Sequence, residues 1–313
     1  MKNILKGLQF LSFFLWAIES YGTSDSKGYI YEVHKKGLHI FHVVTIDPKQ
    51  YTATLLKAKK TPSSGRETVS AMAERSKAEI AINGGFFEIG DHRDGNPSGV
   101  LIINGKAYGL KKGLHPLALI ESGHLSLQVR TPRKLVKRKH ISAVSGIPML
   151  VEKGEIPRGI KDKKGSFYTK PHGRTAIGIR PDGTIVIVVV EHSCQKNLSS
   201  MSLGEIRSLL KEKQETISTK YHKTPENMTL HELELFLEEE YSSKKEFMGM
   251  TILEVAELMK QLRCQTALNL CGGRTSTLWI GGKVMNYEGR EKDRNYKMDT
   301  EIAVADAIIF KRN

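Results

Sequence analysis

The sequence Ala267-Leu-Asn-Leu-Cys-Gly-Gly-Arg-Thr-Ser-Thr-Leu-Trp-Ile280 joins two apolar runs through a loop of small, hydrogen-bonding residues. The run Ala267 to Leu270 is typical of the end of a buried strand. Two adjacent glycines then expose backbone N–H groups, and donor side chains follow them: Gly272, Gly273, Arg274, Thr275, Ser276 and Thr277. Such a loop is able to receive a phosphate or sugar oxygen. The alternative is a tight turn between strands whose hydroxyls only satisfy backbone groups.

Hairpin signals recur along the chain. Apolar runs reverse at turns that favour tight hairpins, at Asn104-Gly105, Ser122-Gly123, Lys153-Gly154, Pro181-Asp-Gly183 and Gly281-Gly282. We also expect 39–46 and 51–58 to be paired strands joined through Asp47-Pro48, and 67–78 to contain a short helix. The strand 184–190 is β-branched along its length, so we expect both of its faces to be buried. Together these signals predict an α+β fold with a hairpin-rich, mostly antiparallel sheet core flanked by helices.

Residues 195 to 263 differ from the rest because they are charged and helical in pattern. Three segments there carry a Ser or Thr followed three residues later by Glu, the capping-box pattern of helix N-termini: Ser202 with Glu205, Thr229 with Glu232, and Thr251 with Glu254. Each is followed by apolar residues at helical spacing. The sequence therefore predicts three amphipathic helices in this region.

The first residues have the pattern of a secretory signal peptide. Lys2 and Lys6 precede an apolar stretch, 8–18, that is too short for a comfortable membrane span. Ser20-Tyr-Gly22 provides small residues before a cleavage point, which predicts a signal peptide over 1–22 and a mature domain over 23–313. The alternative is an uncleaved anchor. In either case we expect export to the periplasm, the cell surface or the medium, with no transmembrane span after signal removal.

The chain has 313 residues and a formal net charge of +14. Much of the positive charge falls in the 130–140 basic loop: Arg130, Arg133, Lys134, Lys137, Arg138 and Lys139. Such a run is either a solvated loop or an attractor for an anionic envelope polymer or a phosphorylated substrate. It is accompanied by no signature of a nucleic-acid-binding fold, so we expect no nucleic-acid partner.

Three cysteines are too few for a disulfide framework. One pair is possible, and we expect Cys194–Cys264, which leaves Cys271 as a thiol. The spacing of cysteines and histidines does not match a zinc site. We therefore expect neither a metal nor a cofactor.

A second candidate site is the pentapeptide Asn83-Gly-Gly-Phe-Phe87, which follows an apolar run. Asn83 is a candidate to orient a substrate hydroxyl, and Gly84 and Gly85 permit close approach of a ligand to the backbone. The two phenylalanines either pack in the core or line a sugar site. Arg174 precedes the strand that starts the 177–190 hairpin, where it is either a surface arginine or a rigid anion clamp.

Taken in order, these motifs resemble the phosphodiester glycosidase family from about residue 40 to the end. The matching pieces are Asn83-Gly-Gly-Phe-Phe87, Pro97-Ser-Gly99, Arg174-Thr-Ala-Ile-Gly178, Met250 to Leu258, Ala267 to Leu270 with Gly272-Gly273 and Ser276-Thr277, and Val304 to Ile308. The resemblance implies a hydrolase that cleaves a sugar-1-phosphodiester or related glycosidic bond. It also implies that 194–249 is a helical insertion in the family domain.

The chain departs from the family at its site. Cys271 stands where the family has Asp, Arg274 where it usually has a third Gly, and Glu301-Ile302 where it usually has Glu-Arg. The resemblance then gives Arg174, Cys271 and Glu301 as the candidate catalytic residues. Asn83, Gly84, Gly85, Gly272, Gly273, Arg274, Thr275 and Ser276 are the candidate substrate-binding residues.

The reaction needs donors for the phosphate and a carboxylate to activate water or stabilise an oxocarbenium-like centre. The leaving phosphate monoester has a second pKa of about 6 and needs little acid assistance. Cys271 is a poor substitute for the family Asp unless a nearby arginine lowers its pKa. Glu301, Glu191 and Glu88 are substitute carboxylates. The alternative function is a catalytically impaired relative that binds glycan or an anionic envelope polymer.

Overall fold

A computed structural model of the protein describes residues 27–36, 39–59, 65–191, 203–241, 249–287 and 301–313. In chain order, the strands within these residues are β1 (Tyr29–Lys36), β2 (His39–Ile46), β3 (Tyr51–Lys57), β4 (Ile80–Asn83), β5 (Leu101–Ile103), β6 (Lys106–Gly109), β7 (His115–Glu121), β8 (His124–Arg130), β9 (Ile141–Ser145), β10 (Met149–Glu152), β11 (Arg174–Ile179), β12 (Ile185–Val190), β13 (Thr266–Asn269), β14 (Leu278–Ile280), β15 (Lys283–Val284) and β16 (Asp306–Arg312). The helices are α1 (Val69–Ser76), α2 (Arg158–Lys161), α3 (Ser166–Thr169), α4 (Leu203–Glu212), α5 (Gln214–Tyr221), α6 (Leu230–Tyr241) and α7 (Ile252–Gln261).

The strands form three antiparallel sheets. Their orders are β1-β2-β12-β11-β13-β10, β15-β14-β4-β16-β3 and β6-β5-β9-β7-β8. One hydrophobic core joins all three, with members such as Ile46, Leu55, Ile120, Ile187 and Ile308. Sheets of this kind with helices packed against them make an α+β fold, as the hairpin signals predict.

β12 is the central example of a strand buried on both faces. Ile187 and Val189 contribute to the core shared by the sheets, whereas Val186, Val188 and Val190 pack in a second cluster under α7. Successive side chains point to opposite faces of a strand, so a strand between two apolar layers must be apolar throughout. The prediction for 184–190 is confirmed.

The predicted pairing of β2 with β3 is wrong. β2 pairs with β1 and β12, whereas β3 pairs with β16 in another sheet. The turn at Asp47-Pro48 therefore carries the chain between sheets. Both strands place side chains in the same core, including Val44 and Leu55, so they face each other across it and do not share an edge.

Other local predictions are confirmed. The hairpins β5–β6, β7–β8, β11–β12 and β14–β15 form at the expected turns. At Lys153-Gly154 the chain turns as expected, but β10 finds its partner in β13. The helix predicted within 67–78 is α1, which begins after the N-cap Thr68.

The capping boxes predicted at Thr229 and Thr251 are present. Thr229 and Glu232 bond reciprocally before α6, and Thr251 and Glu254 do so before α7. The remaining predicted capping box, Ser202 with Glu205, includes Ser202, which lies outside the described residues. α5, α6 and the segment between them bury a small cluster of their own that includes Ile217 and Phe236.

The predicted signal peptide, 1–22, also lies outside the described residues. Within the described parts of the chain, no helix combines the length and apolar character needed to cross a membrane. The expected Cys194–Cys264 disulfide is not formed at Cys264, which is a free cysteine; Cys194 lies outside the described residues. The Cys264 thiol packs in the cluster beneath α7, and burial raises its pKa to about 12.

Candidate functional site

Asn83, at the end of β4, connects three parts of the chain through its side chain. Its Nδ2 donates to the carbonyl of Cys271 (2.6 Å), and its Oδ1 accepts from the Thr175 hydroxyl (2.7 Å) and from the Thr277 N–H (3.1 Å). Asn83 is completely buried. These bonds hold the 271–277 loop against β4 and β11, so the amide has a positioning role in this structure.

Asp306, the first residue of β16, lies next to the two glycines that follow Asn83. Gly84 N–H donates to the Asp306 backbone carbonyl (3.0 Å), and Gly85 N–H donates to the Asp306 Oδ1 (2.8 Å). The side chain is only 1% exposed, and its Oδ2 has no hydrogen-bond partner among the described residues. Burial raises the pKa of Asp306 to about 6, while the Gly85 N–H and the charge of Lys57 act in the opposite direction.

The backbone must approach Asp306 closely, and this explains the paired glycines. A Cβ at Gly84 would lie 1.9 Å from the Asp306 Oδ1, and one at Gly85 would lie 2.6 Å from the Val144 Cγ2. Neither side chain fits without displacement of the Asp306 carboxylate or of the Val144 side chain. Both glycines are predicted from the sequence, but Asp306 is not, because its signal is only a single carboxylate in the otherwise apolar run 304–310.

The 271–277 loop is fixed by backbone bonds to both neighbouring segments. Cys271 N–H donates to the Gly84 carbonyl (3.0 Å), and Gly273 N–H donates to the Gly173 carbonyl (2.7 Å). A Cβ at Gly272 would lie 2.7 Å from that same Gly173 oxygen. The loop glycines therefore allow contact between the loop and the start of β11.

Side chains within the loop also bond to it. The Thr275 hydroxyl donates to the Gly272 carbonyl (2.8 Å) and lies 3.4 Å from the Cys271 Sγ. The amide of Asn286 accepts from Leu278 N–H and donates to the Ser276 carbonyl. Thr275 and Ser276 are buried, whereas Arg274 is exposed at the loop surface. Arg274 is thus the cation that this loop presents to solvent.

Cys271 is a protonated thiol at neutral pH. Burial raises its pKa, and the nearby Asp306 carboxylate raises it further, against smaller opposing effects from the Thr275 hydroxyl and the Gly272 N–H. The alternative of an activated thiolate at Cys271 therefore does not agree with the structure, because no arginine among the described residues lowers this pKa.

Arg174 binds backbone carbonyls rather than lying at the surface. Its Nε donates to Met250 O (2.9 Å), and one terminal nitrogen donates to Phe167 O (2.8 Å) and Lys170 O (3.1 Å). The residue is 3% exposed, and burial lowers its pKa to about 10, so it stays charged at neutral pH. Because adjacent strand residues alternate in direction, its side chain projects from the face opposite to that of Thr175.

The three substitute carboxylates each have partners elsewhere. Glu301 accepts from the backbone N–H and the hydroxyl of Ser70 in the first turn of α1. The carboxylate of Glu88 lies 3.3 Å from Arg93 on the surface. Both carboxylates are therefore engaged away from the 271–277 loop.

Glu191 belongs to a buried polar chain at the end of β12. Its Oε1 lies 2.9 Å from His42 Nε2, and His42 Nδ1 lies 2.8 Å from the Tyr31 hydroxyl. Glu191 immediately follows Val190, which pairs with Arg174. This carboxylate is therefore at the same end of the sheet as the start of β11.

The structure thus brings together most of the predicted site: Asn83, Gly84, Gly85, Cys271, Gly272, Gly273, Thr275 and Ser276. It adds Asp306 as the carboxylate of that group. Arg174 reaches the group through the backbone of its neighbour Gly173, while Glu301 is engaged at α1.

These features define an α+β domain whose site consists of glycine-rich loops around one buried carboxylate. The chain matches the family model described as phosphodiester glycosidase over residues 76–215 and 227–311. The protein therefore belongs to the phosphodiester glycosidase family. The interval between the matched parts falls inside 194–249, where the insertion was predicted; that insertion stays a prediction.

Similar structures share the fold. The catalytic domain of zebrafish N-acetylglucosamine-1-phosphodiester alpha-N-acetylglucosaminidase, auto-inhibited by its pro-peptide, is 19% identical, with a TM-score of 0.60 over 95% of this chain and 82% of that one. A Synechocystis protein is 13% identical, with a TM-score of 0.53 over 92% of this chain and 63% of that one.

An uncharacterized protein of Rickettsia conorii is similar in sequence. It is 40% identical over 74 residues, which are 24% of this chain and 25% of its own length.

Proposed function

We propose that this protein is an exported phosphodiester glycosidase that hydrolyses a sugar-1-phosphodiester bond, with Asp306 as its working carboxylate. The observation that carries the proposal is the Asp306 Oδ2, which is buried without a partner among the described residues beside the Gly84-Gly85 turn. In this proposal Asp306 takes the role of the acid that the resemblance places where Cys271 stands.

The geometry supports a water-activation role. With a pKa of about 6, Asp306 exchanges a proton readily near neutral pH, which suits general base catalysis. In the reaction, water forms a bond to the anomeric carbon and gives its proton to Asp306. The bond between that carbon and the phosphate oxygen breaks, and the phosphate monoester leaves with the electron pair. The exposed Arg274 is the proposed contact for the phosphate.

Turnover of 4-nitrophenyl- or UDP-linked N-acetylglucosamine tests the proposal. We expect hydrolysis by the wild type and a loss of about 100-fold or more in Asp306→Asn, the scale of a general-base contribution. Asp182→Asn is the matched control, because Asp182 is an exposed carboxylate in the turn before β12. Equal turnover in wild type and Asp306→Asn would exclude Asp306 from the chemistry.

A second candidate function is binding of glycan or an anionic envelope polymer without catalysis. It is favoured by the protonated Cys271 thiol and by the exposed cations of the 130–140 basic loop, including Arg133 and Lys134. Absence of turnover in the wild type and in Cys271→Asp, together with retained polymer binding, would favour this function.

Export is part of the proposal, and the signal-peptide pattern of residues 1–22 supports it. Expression of the full chain followed by N-terminal sequencing of the mature protein tests it. The expected first residue is Thr23.

A further inference from the structure

The loop between β6 and β7 presents two leucines and two lysines to solvent. Its sequence is Leu110-Lys-Lys-Gly-Leu114, and all five residues are exposed. Leu110 is 47% exposed, and Leu114, at 69%, has the largest exposed fraction of any large apolar side chain among the described residues. His115 Nε2 donates to the Lys112 carbonyl (2.9 Å) and so closes the loop at its base. The loop therefore holds apolar side chains in water, where they are unfavourable.

Two further exposed apolar side chains lie beside this loop. Val129 is opposite Pro116 in the β7–β8 ladder, and Ile147 follows Gly146, whose N–H donates to the Pro116 carbonyl (3.2 Å). Val129 is 45% exposed and Ile147 is 49% exposed. We call Leu110, Leu114, Val129 and Ile147 the apolar patch. Exposed apolar side chains that gather in one place, in contrast to scattered ones, mark an interaction surface.

The surroundings of the apolar patch are strongly basic. Residues 95–151, which contain the whole sheet β6-β5-β9-β7-β8, hold nine lysines and arginines against a single acidic residue, Glu121. Next to the patch are Lys111 and Lys112 in the loop, and Arg130, which follows Val129 and pairs with His115. All three cations are exposed. The partner of this surface should therefore be negatively charged.

Apolar side chains interleaved with cations favour one anionic partner, a lipid bilayer. A bilayer receives apolar side chains between its headgroups while its phosphates attract lysine and arginine. A soluble anionic polymer would bind the cations but would leave Leu110 and Leu114 in water. A second copy of the chain would cover the leucines but would bring Lys111 and Lys112 against like charges.

The apolar patch is also connected to the candidate site. Ile147 N–H donates to the Asn269 carbonyl (2.8 Å), and the Asn269 amide donates to the Ile147 carbonyl (2.7 Å). Asn269 lies two residues before Cys271, whose carbonyl accepts from the Asn83 amide. A bilayer in contact with the patch is therefore beside the 271–277 loop.

We propose that the protein docks reversibly on anionic lipid bilayers through the apolar patch and the cations beside it. Leu110 and Leu114 enter the headgroup region, and Lys111, Lys112 and Arg130 bind lipid phosphates. This inference goes beyond the proposed function, because it assigns a second surface and a partner. It does not depend on Asp306.

Cosedimentation of the mature protein with lipid vesicles tests the charged part of the surface. We expect binding to vesicles of phosphatidylcholine and phosphatidylglycerol, and little binding to vesicles of phosphatidylcholine alone. Lys111→Ala/Lys112→Ala should weaken binding to the anionic vesicles about 30-fold, as expected for the loss of two cations at the bilayer surface.

Lys106→Ala/Lys139→Ala is the matched control, because it removes the same charge at the other end of the same sheet. Lys106 follows the turn between β5 and β6, and Lys139 precedes His140, whose carbonyl accepts from Ser122 in the turn after β7. Both lysines are exposed. This control should weaken vesicle binding less than about threefold, because these charges lie away from the docked surface and are screened.

The apolar part of the surface has its own test. Leu110→Ser/Leu114→Ser should weaken binding to anionic vesicles about tenfold or more, and should abolish the binding that persists at high salt. Leu235→Ser is the control, because Leu235 on α6 is 46% exposed, close to the 47% of Leu110, and lies outside the apolar patch. It should bind as the wild type does.

A fluorescent variant reports insertion directly. The emission of Leu114→Trp should shift to shorter wavelength on anionic vesicles and should not shift on neutral ones, because its indole enters the headgroup region. Trp279 is only 5% exposed and provides a constant background. Circular dichroism of every variant should match that of the wild type, since the replaced side chains are exposed.

Three results would overturn the docking surface. The first is equal loss of vesicle binding in the two double lysine variants, or no shift of the Leu114→Trp emission. The second is binding of inorganic polyphosphate that needs Lys111 and Lys112 but not the leucines, without vesicle binding, which would identify a soluble polymer as the partner. The third is a dimer that Leu110→Ser/Leu114→Ser dissociates, without vesicle binding, which would identify a second copy of the chain.

The catalytic proposal fails or stands separately. Asp306→Asn should bind anionic vesicles as tightly as the wild type does. If it keeps wild-type turnover while the variants of the 110–114 loop lose vesicle binding, the catalytic assignment fails and the docking surface stands. If turnover requires Asp306 but vesicle binding does not require the loop, only the docking surface fails.

Discussion

The carboxylate of Asp306 and the backbone N–H of Gly85 are joined by a hydrogen bond of 2.8 Å between the start of the last strand and the turn after β4. The bond satisfies Oδ1 and leaves Oδ2 with no partner among the described residues. A carboxylate in this position is poorly solvated, and it therefore resists ionisation. This resistance affects both the stability of the fold and the proposed chemistry.

The stability of the protein should fall as the pH rises past the pKa of Asp306. The unfolded chain loses this proton at about 3.9, whereas the folded protein keeps it up to about 6. Between these values the folded state binds more protons, so the free energy of unfolding decreases with rising pH, by about 3 kcal/mol in total. Asp306→Asn removes this decrease. Denaturant unfolding at several pH values should show the free energy of unfolding of the variant rising relative to that of the wild type from about pH 4 to 6.

Asp182→Asn provides a control of opposite sign. The backbone N–H of Thr184 lowers the pKa of Asp182, so the native carboxylate stabilises the fold once the pH exceeds its unfolded pKa. Its replacement should therefore reduce stability at higher pH. Parallel behaviour of the two variants would show that Asp306 is not held protonated by burial.

Cys271→Ser should keep turnover within about threefold of the wild type, because the raised pKa makes the thiol a poor nucleophile. Iodoacetamide at neutral pH should modify neither Cys264 nor Cys271 in the folded protein, and both after unfolding. Peptide mass spectrometry measures the labelling. Loss of turnover in Cys271→Ser together with rapid labelling of Cys271 in the folded state would instead identify a nucleophilic thiolate.

Much of the fold follows from local sequence. The hairpin turns, the doubly buried β12 and the capping boxes before α6 and α7 depend on neighbouring residues, and they form as expected. The pairing of β2 and β3 does not depend on the turn alone. Both strands have a core face. β2 pairs with β12 and β3 pairs with β16, so strands that lie far away in the sequence decide that β2 and β3 belong to different sheets.

The candidate site shows the same division. The glycine loops are visible in the sequence because close backbone approach selects a residue without a side chain. The sequence does not identify Asp306 as a site residue, because its role depends on burial and on a bond from Gly85, which lies far away in the chain. Arg174 is visible as a charge before an apolar strand, but the sequence does not reveal that Met250, Phe167 and Lys170 supply its acceptors.

Gly84→Ala should destabilise the protein strongly. The added methyl group would lie 1.9 Å from the Asp306 Oδ1 and would push the carboxylate out of its place. We expect a loss of about 3 kcal/mol in the free energy of unfolding, at the upper end of the typical range for overpacked cores. Gly159→Ala is the matched control: outside its own helix, no atom of the described residues lies within 4 Å of the position that its methyl group would take, and it belongs to α2, where Ala is favoured. Equal effects of the two changes would contradict the close approach at Gly84.

Asn83→Ala should destabilise the 271–277 loop by removing the partners of three buried groups, on Cys271, Thr175 and Thr277. Each buried polar group left without a partner costs about 1 to 3 kcal/mol, so we expect a total loss of about 3 kcal/mol or more. Asn313→Ala is the control, since that side chain makes one exposed bond to the Lys49 carbonyl. If Asn83→Ala kept full stability and raised only the KM of the substrate, the predicted substrate contact would be correct and the positioning role wrong.

Arg174→Met should loosen α3, because it leaves the carbonyls of Phe167 and Lys170 without their donor. We expect a loss of about 3 kcal/mol in the free energy of unfolding and faster amide hydrogen exchange across 166–170. Arg158→Met, at an exposed arginine of the neighbouring α2, should change stability by less than about 0.5 kcal/mol. Abolished turnover in Arg174→Met is therefore interpretable only beside these measurements. If Arg174→Met is inactive while its stability and hydrogen exchange are unchanged, Arg174 acts as the predicted anion clamp. If the variant is unfolded or exchanges faster, Arg174 supports the site by holding α3.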